Sequence, residues 1–157
     1  MKQYKKNKIL CFIFNIGPHY RFPIFKAIDD RFMSSFYFGD HMRLPIKTFD
    51  YNALKGYVTT LNNRFIRNFY WQSKSLRLVF GNYDMYFMDG EPYSLSSWLI
   101  LLLCRILGKQ TVAWTHGWYG REGFVKRLIK RLYYSLYTKL MVYNLSLIHI
   151  SEPTRLR

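Results

Sequence analysis

Short, continuously apolar runs alternate along the chain with longer segments whose apolar positions recur at helical spacing. The runs at residues 9–15 and 84–88 are apolar almost throughout. A run of this length without polar alternation is typical of a strand that is buried on both faces of a sheet. Further strands are predicted at residues 35–39 and 110–115, and the first residues of another at 141–143.

Helical spacing marks the segments between these strands. Residues 22–32 place Phe22, Phe25, Ile28 and Phe32 on one side, and residues 72–80 fit a short helix. Residues 94–107 form a helix with Ser94 or Ser96 as its N-cap and Gly108 as its end. Because the apolar part of this segment is far shorter than the ~20 residues of a membrane span, we expect a buried core helix. Residues 57–61 and 64–70 flank Asn62-Asn63 and are predicted to pair as strands.

The alternation of buried strands and helices predicts an α/β fold, with a Rossmann-like parallel sheet flanked by helices. Ligands of such sheets bind beyond the carboxyl ends of the strands. The loops expected to matter are therefore residues 17–21, 40–43, 89–94 and 116–122.

Composition narrows the class of partner. The 157 residues suit one domain, half of them are apolar, and the formal net charge is +15. Such an excess of cations indicates an anionic partner, which could be nucleic acid, phospholipid headgroups or a phosphorylated substrate. Cys11 and Cys104 both lie in apolar runs, so they are interpreted as buried free thiols of a cytosolic protein, without a disulfide framework or a zinc site.

Residues 121–140 are predicted to form a long amphipathic helix. Its apolar residues, Phe124 to Leu136, are expected to face the core, and the opposite face carries Lys126, Arg127, Lys130 and Arg131 without any acidic residue. The face could simply be solvated. The absence of acids favours contact with an anionic membrane surface.

Residues 116–122 follow a buried strand and open this helix. His116 at the strand end is a candidate acid, base or hydrogen-bond donor. Gly117 allows close backbone approach to a ligand, and Arg121 could bind phosphate or carboxylate. Glu122 is either a substrate ligand or a favourable charge at the helix N-terminus.

Two other loops supply candidate substrate-binding residues. In residues 89–94, Glu91 could accept hydrogen bonds from a substrate hydroxyl, with Tyr93 and Ser94 beside it, or the loop could be only a turn with a helix cap. Residues 17–21 contribute Gly17 and Arg21. The chain has no G-x-G-x-x-G fingerprint and no P-loop, which argues against a dinucleotide-dependent dehydrogenase and against an NTPase.

Three motifs in order carry a family resemblance: G-P-H-Y-R-x-P-I-F from Gly17, D-G-E-P-x-S-L-S-x-W from Asp89, and L-G-K followed by W-T-H-G-x-Y-G-R-E from Trp114. Together they resemble the N-terminal half of a bacterial glycosyltransferase of family four, with the GT-B fold. The resemblance implies that this half binds the acceptor, and that a C-terminal domain holds the nucleotide-sugar donor without a protein-bound metal or other cofactor. His116 matches a histidine often found in the cleft, whereas the usual paired glycines near Gly17 are absent.

The domain expectation follows from this resemblance. Residues 1–144 are expected to be an acceptor-side Rossmann-like domain that is incomplete at its C-terminal end. Residues 145–157 carry no continuing hydrophobic period and resemble the translation of a transposase-type sequencing adaptor, so they are expected to be non-native. The chain as written is then predicted to be inactive alone.

The implied function is sugar transfer from a nucleotide sugar to a glycan or lipid-linked acceptor in surface polysaccharide synthesis, at the cytoplasmic face of the membrane. Two alternatives without catalysis are a peripheral membrane protein and a nucleic-acid-binding module. Base stacking would require exposed aromatic side chains beside Lys or Arg. Because Phe12, Phe14, Phe25, Phe87 and Trp114 fall within predicted strand or helix cores, we expect no nucleic-acid partner.

Overall fold

The computed structural model describes residues 8–116 and 123–142. The strands are β1 Ile9–Phe14, β2 Met33–Gly39, β3 Tyr57–Leu61, β4 Asn63–Ile66, β5 Phe69–Gln72, β6 Met85–Asp89, β7 Gln110–Thr115 and β8 Lys139–Val142, and the α-helices are α1 Phe22–Asp29, α2 Leu95–Ile106 and α3 Phe124–Ser135. In this part of the chain, six strands form one parallel sheet in the order β3-β2-β1-β6-β7-β8. The predicted α/β fold with a Rossmann-like parallel sheet is confirmed.

The strand order reverses at β1. From β1 the chain moves outward through β2 to β3, and it then crosses to β6 on the other side of β1 and continues outward to β8. Connections on the two sides lie on opposite faces of the sheet, so a crevice opens between the carboxyl ends of β1 and β6.

The alternating side chains of β1 divide the core into two layers. Phe12 and Phe14 face α1 and pack against Phe25, whereas Cys11 and Ile13 face the side covered by α2 and α3. The ring centroid of Phe12 lies 5.0 Å from that of Phe36 and 4.7 Å from that of Phe87. The unalternating apolar pattern of the strands is therefore explained by burial on both faces.

Both cysteines are free and buried, as predicted. Burial raises the pKa of the Cys104 thiol to about 11 and raises that of Cys11 as well. Each therefore remains a protonated, apolar core residue at neutral pH.

The ends of α2 also agree with the sequence. The Ser94 side chain accepts a hydrogen bond from the backbone N–H of Ser97, as an N-cap does. Gly108, after the last turn, has a φ of +65°, a left-handed conformation that glycine adopts without a Cβ penalty.

Several predicted elements differ from the structure. Residues 57–61 do not pair with the following segment but join the main sheet beside β2, and the hairpin is instead formed by β4 and β5. Residues 72–80 contain a 3₁₀ helix, Ser75–Phe80, in which Phe80 is exposed. The helix α1 ends before Phe32, which is exposed. The helix α2 is buried on one side only, because Leu99 and Ile106 face outward.

The orientation of α3 overturns the predicted faces of this helix. Its inward face is formed by Tyr133, Tyr134 and Lys130, which are all buried. Of the apolar residues expected in the core, Phe124, Val125, Leu128 and Leu132 are more than half exposed, whereas Tyr133 is buried as predicted. The prediction that Lys130 belongs to a solvent-facing basic surface is wrong. Tyrosines occupy the inward face because their hydroxyls bond to carbonyls and a hydroxyl beneath the helix.

No helix among the described residues combines the length and hydropathy needed to cross a bilayer.

Two neighbouring aspartates offer a test of the fold. The buried Asp29 carboxylate accepts hydrogen bonds from the backbone N–H groups of Lys55 and Gly56, at 2.5 and 3.0 Å, and so joins the end of α1 to the start of β3. We expect Asp29→Ala to lower the free energy of unfolding by about 1–3 kcal/mol, because it leaves these donors unpaired. Urea unfolding measures the change.

The matched control is Asp30→Ala, which removes only exposed ion pairs with Lys26 and Lys55. We expect it to change stability less than Asp29→Ala does. Equal effects of the two substitutions would contradict the anchoring role of Asp29.

Candidate functional site

A cleft of about 810 Å³ opens at the carboxyl ends of the strands, at the point where the strand order reverses. Its aromatic walls come from separate elements, and its polar groups cluster at the ends of β1, β6 and β7. Aromatic residues lining it are Tyr20, Phe65, Tyr70, Tyr93 and Trp114, and polar or charged ones include Asn15, Arg21, Arg43, Asp89, Glu91, Thr115, His116 and Lys126.

A buried ion pair joins the two sides of the cleft floor. Arg21 Nη1 donates to Asp89 Oδ1 at 3.0 Å, and the backbone N–H of Asn15 donates to Asp89 Oδ2 at 3.0 Å. The Arg21 guanidinium also lies 5.6 Å from the ring centroid of Phe14 and 5.4 Å from that of Trp114. Burial raises the pKa of Asp89 above its ordinary value, while Arg21 and the Asn15 hydrogen bond act against this shift.

His116 lies directly after β7 and lines the same cleft. Burial lowers the pKa of His116, the Arg21 charge lowers it further, and the Asp89 charge opposes both. With a pKa below the ordinary value of about 6.5, the imidazole is neutral at pH 7 and can accept a proton. The structure thus brings together His116 and Arg21, two of the predicted site residues.

Tyrosines of α3 and of the turn after it hold the end of β6 from below. Tyr137 donates to the carbonyl of Asp89 at 3.3 Å, and Tyr134 donates to the carbonyl of Gly90 at 3.1 Å. A Cβ on Gly90 would lie 2.5 Å from Cβ of Thr115, so the ends of β6 and β7 approach as closely as a glycine permits. The position of the Asp89 carboxylate is therefore fixed from several directions.

The hairpin formed by β4 and β5 makes one wall of the cleft. At its base, the side-chain amides of a cross-strand pair donate to successive carbonyls at the end of β1: Gln72 Nε2 to Phe14 at 2.9 Å and Asn63 Nδ2 to Asn15 at 2.8 Å. Phe65 and Tyr70 project from this hairpin into the lining. The amides continue the hydrogen bonding of β1 beyond the end of the strand.

The loop after β6 places two predicted residues in the cleft and one outside it. Glu91 and Tyr93 line the cleft, and Trp98 Nε1 holds the loop by donating to the Pro92 carbonyl at 2.9 Å. Ser94 is buried and caps α2 with its hydroxyl, which accepts from Ser97. Ser94 thus has the helix-capping role and lies outside the cleft lining, and its binding of substrate stays a prediction.

Gly17 has a packing role and does not line the cleft. A Cβ there would lie 2.6 Å from Cε1 of Tyr51, whose hydroxyl accepts a hydrogen bond from the Gly17 N–H at 3.2 Å. The glycine therefore makes room for the Tyr51 ring. The remaining predicted loop residues, Gly117, Arg121 and Glu122, lie outside the described residues.

Sequence reasoning missed the two residues on which the cleft floor is built, Asp89 and Asn15. The available signal was position, because Asp89 ends a buried strand. It pairs in the sheet with Trp114, and Trp114 precedes His116 by two residues. Lys126, predicted only as a membrane-surface residue, also lines the cleft, whereas Arg127 and Arg131 are exposed on α3.

The described residues of the cleft supply groups for hydrogen bonding and proton transfer. Among residues 8–116 and 123–142, no three His, Cys, Asp or Glu side chains form a metal-binding group. A neutral imidazole, a paired carboxylate and a second carboxylate at Glu91 suit a ligand rich in hydroxyl groups.

No known protein family, curated protein or solved structure matches this chain. The resemblance to family-four glycosyltransferases therefore stays a prediction from the sequence motifs.

The ion pair in the cleft floor can be tested by removing one partner. We expect Arg21→Met to lower the free energy of unfolding by about 3–5 kcal/mol, because it leaves a buried carboxylate without its counter-charge. Adding Asp89→Asn to that variant should restore part of the loss, since a neutral amide needs no counter-ion. Chemical denaturation measures both, and a double variant less stable than Arg21→Met would contradict the pairing.

The electrostatic link between Asp89 and His116 predicts a pKa change. The Asp89 carboxylate favours the imidazolium form, so Asp89→Asn should lower the pKa of His116 further. Titration of the histidine ring signals by NMR measures the change. Asp50→Asn, on the N-cap of Tyr51–Ala53, is the control and should leave that pKa unchanged; a rise in the Asp89→Asn variant would contradict the link.

Proposed function

We propose that the cleft is the acceptor-binding site of a glycosyltransferase that moves a sugar from a nucleotide-sugar donor to a glycan acceptor. The observation that carries the proposal is the position of His116 at a strand end, in a cleft that combines aromatic walls with carboxylates and lowers the pKa of the imidazole. It is the kind of group that activates a hydroxyl for attack. The sequence motifs around Gly17, Asp89 and His116 point to the same class.

The walls of the cleft suit a saccharide. The C–H faces of a sugar ring pack on exposed aromatic side chains, which Tyr20 and Tyr93 supply in the cleft lining. Sugar hydroxyls donate well to carboxylates, and Glu91 lines the same cleft. The combination gives both apolar contact area and directional polar groups.

In the proposed reaction, Nδ1 or Nε2 of His116 accepts the proton of the acceptor hydroxyl as that oxygen bonds to the sugar carbon and the nucleoside diphosphate leaves. Asp89 favours the resulting imidazolium. Arg21 holds Asp89 in place. Its positive charge also opposes the effect of the Asp89 carboxylate on the pKa of His116. The donor is held by a second domain, as the family resemblance implies.

We further propose that the acceptor is carried on a lipid, in surface polysaccharide synthesis at the cytoplasmic face of the membrane. The cations Arg43 and Lys126 at the cleft support an acceptor with a phosphate group.

The absence of a nucleic-acid partner stays a prediction. The core aromatics Phe12, Phe14, Phe25 and Trp114 are buried and Phe87 is partly buried, whereas Tyr20 is 61% exposed and lies beside Arg21.

The test is saccharide binding to the chain, followed by NMR. The probes are the methyl glycosides of glucose, galactose, mannose and N-acetylglucosamine. We expect at least one of them to shift the ring signals of Tyr93 and His116. Glu91→Gln and His116→Gln should each weaken binding about tenfold, because each removes a hydrogen bond to substrate.

The matched control is His41→Gln, an exposed histidine paired with Asp40 outside the cleft lining, which should bind like the parent chain. Signals that respond to none of the glycosides, or binding that is indifferent to both cleft substitutions, would overturn the proposal.

A further inference from the structure

The helices α2 and α3 lie side by side on one face of the sheet. The ring centroids of Trp98 and Tyr133 are 4.9 Å apart, and Arg105 Nη1 donates to the Ser135 carbonyl at 3.0 Å. Each helix has 12 residues, so each is about 18 Å long. We call their shared outer surface the α2–α3 layer; its apolar members are Leu95, Leu99, Leu102, Ile106, Phe124, Val125, Leu128, Ile129 and Leu132.

The α2 part of this layer is a regular apolar stripe. Its members recur at intervals of four, three and four residues, which keeps them on one side of the helix. Their exposed fractions run from 37% at Leu95 to 79% at Ile106. The opposite side, with Ile100, Leu101 and Cys104, is completely buried in the core. The stripe therefore takes no part in the packing of α2 on the sheet.

The α3 part adds a second exposed apolar arc. Phe124 is 74% exposed, and Leu132 near the other end of the helix is 58% exposed. Because the two helices are in contact, the arc and the stripe form one surface. A continuous apolar surface of this size exceeds the scattered apolar residues normal for a soluble monomer and marks an interaction site.

The charges on the two helices select the partner. Both helices carry only cations, namely Arg105, Lys126, Arg127, Lys130 and Arg131, without an aspartate or glutamate in either. A second copy of the chain would bring like charges together. An anionic lipid surface fits both the apolar surface and the excess of cations. Its acyl region accommodates the apolar side chains, and its phosphates pair with Arg127 and Arg131.

We infer that the α2–α3 layer lies on an anionic membrane, with its apolar side chains inserted below the headgroups and both helices parallel to the surface. This differs from contact through a basic face alone, because insertion of the apolar arc supplies most of the binding. The inference depends only on the helix layer and goes beyond the proposed saccharide site.

The layer also meets the cleft at its N-terminal end. The helix α2 begins directly after the cleft residues Glu91 and Tyr93, and Lys126 of α3 lines the cleft. A chain bound through the layer would therefore hold the cleft beside the membrane surface, within reach of a headgroup-linked ligand.

Sedimentation with vesicles tests the inference. We expect the chain to sediment with phosphatidylcholine vesicles that contain phosphatidylglycerol, and far less with pure phosphatidylcholine. Leu99→Asn/Leu102→Asn and Leu128→Asn/Leu132→Asn should each weaken binding about tenfold or more, by removing inserted CH₂ and CH₃ groups. Arg127→Gln/Arg131→Gln should weaken binding to the anionic vesicles about fivefold per cation.

The matched control is Phe32→Asn/Met33→Asn, which removes two exposed apolar residues away from the layer and should bind like the parent chain. Circular dichroism confirms that each variant is folded. Absence of sedimentation with anionic vesicles, or binding unchanged by the leucine substitutions, would overturn the inference. So would a dimer in sedimentation velocity without lipid that the leucine substitutions dissociate. Saccharide binding to the cleft is measured separately and succeeds or fails on its own.

Discussion

The ion pair between Arg21 and Asp89 is the constraint around which the candidate site is built. It joins the segment that follows β1 to the end of β6, at the point where the strand order reverses. Burying two charges is costly, and the cost is offset here by the Asn15 amide and by aromatic rings against the guanidinium. The same pair determines the electrostatic environment of His116, so the shape of the cleft and its proton chemistry have a common origin.

The tyrosines beneath the cleft show why α3 is turned with its apolar side outward. The end of β6 presents carbonyls that leave the sheet at Asp89 and Gly90, and a leucine in their place would leave these acceptors unpaired. Tyr134 and Tyr137 fill the volume and also donate hydrogen bonds. The same tyrosines thus provide hydrogen bonds to the carbonyls at the strand end and leave the apolar side of α3 facing outward.

The parts of the fold that could be predicted are those in which one physical signal dominates. The buried strands follow from unbroken apolar runs, and Ser94 and Gly108 follow from the chemistry of helix ends. The orientation of α3 could not be predicted, because hydropathy favoured its leucines as the core face, whereas the burial of Tyr134 depends on a carbonyl at the end of β6. At the site, His116 was recognisable by its residue type and its place after a strand. Asp89 has the same place, but its importance depends on Arg21, and that contact joins residues 68 positions apart.

In the β4–β5 hairpin, the residues that attach the hairpin to the sheet differ from the residues at its exposed end. Its grip on β1 comes from Asn63 and Gln72 at the base, whereas the exposed Ile66 and Phe69 at its far end make no part of the sheet core. Residues at the far end can therefore be exchanged, or the turn lengthened, without disturbing the strand ends below. The height and chemistry of this wall are free to diverge between related chains, and ligand preference can change there at little expense in stability.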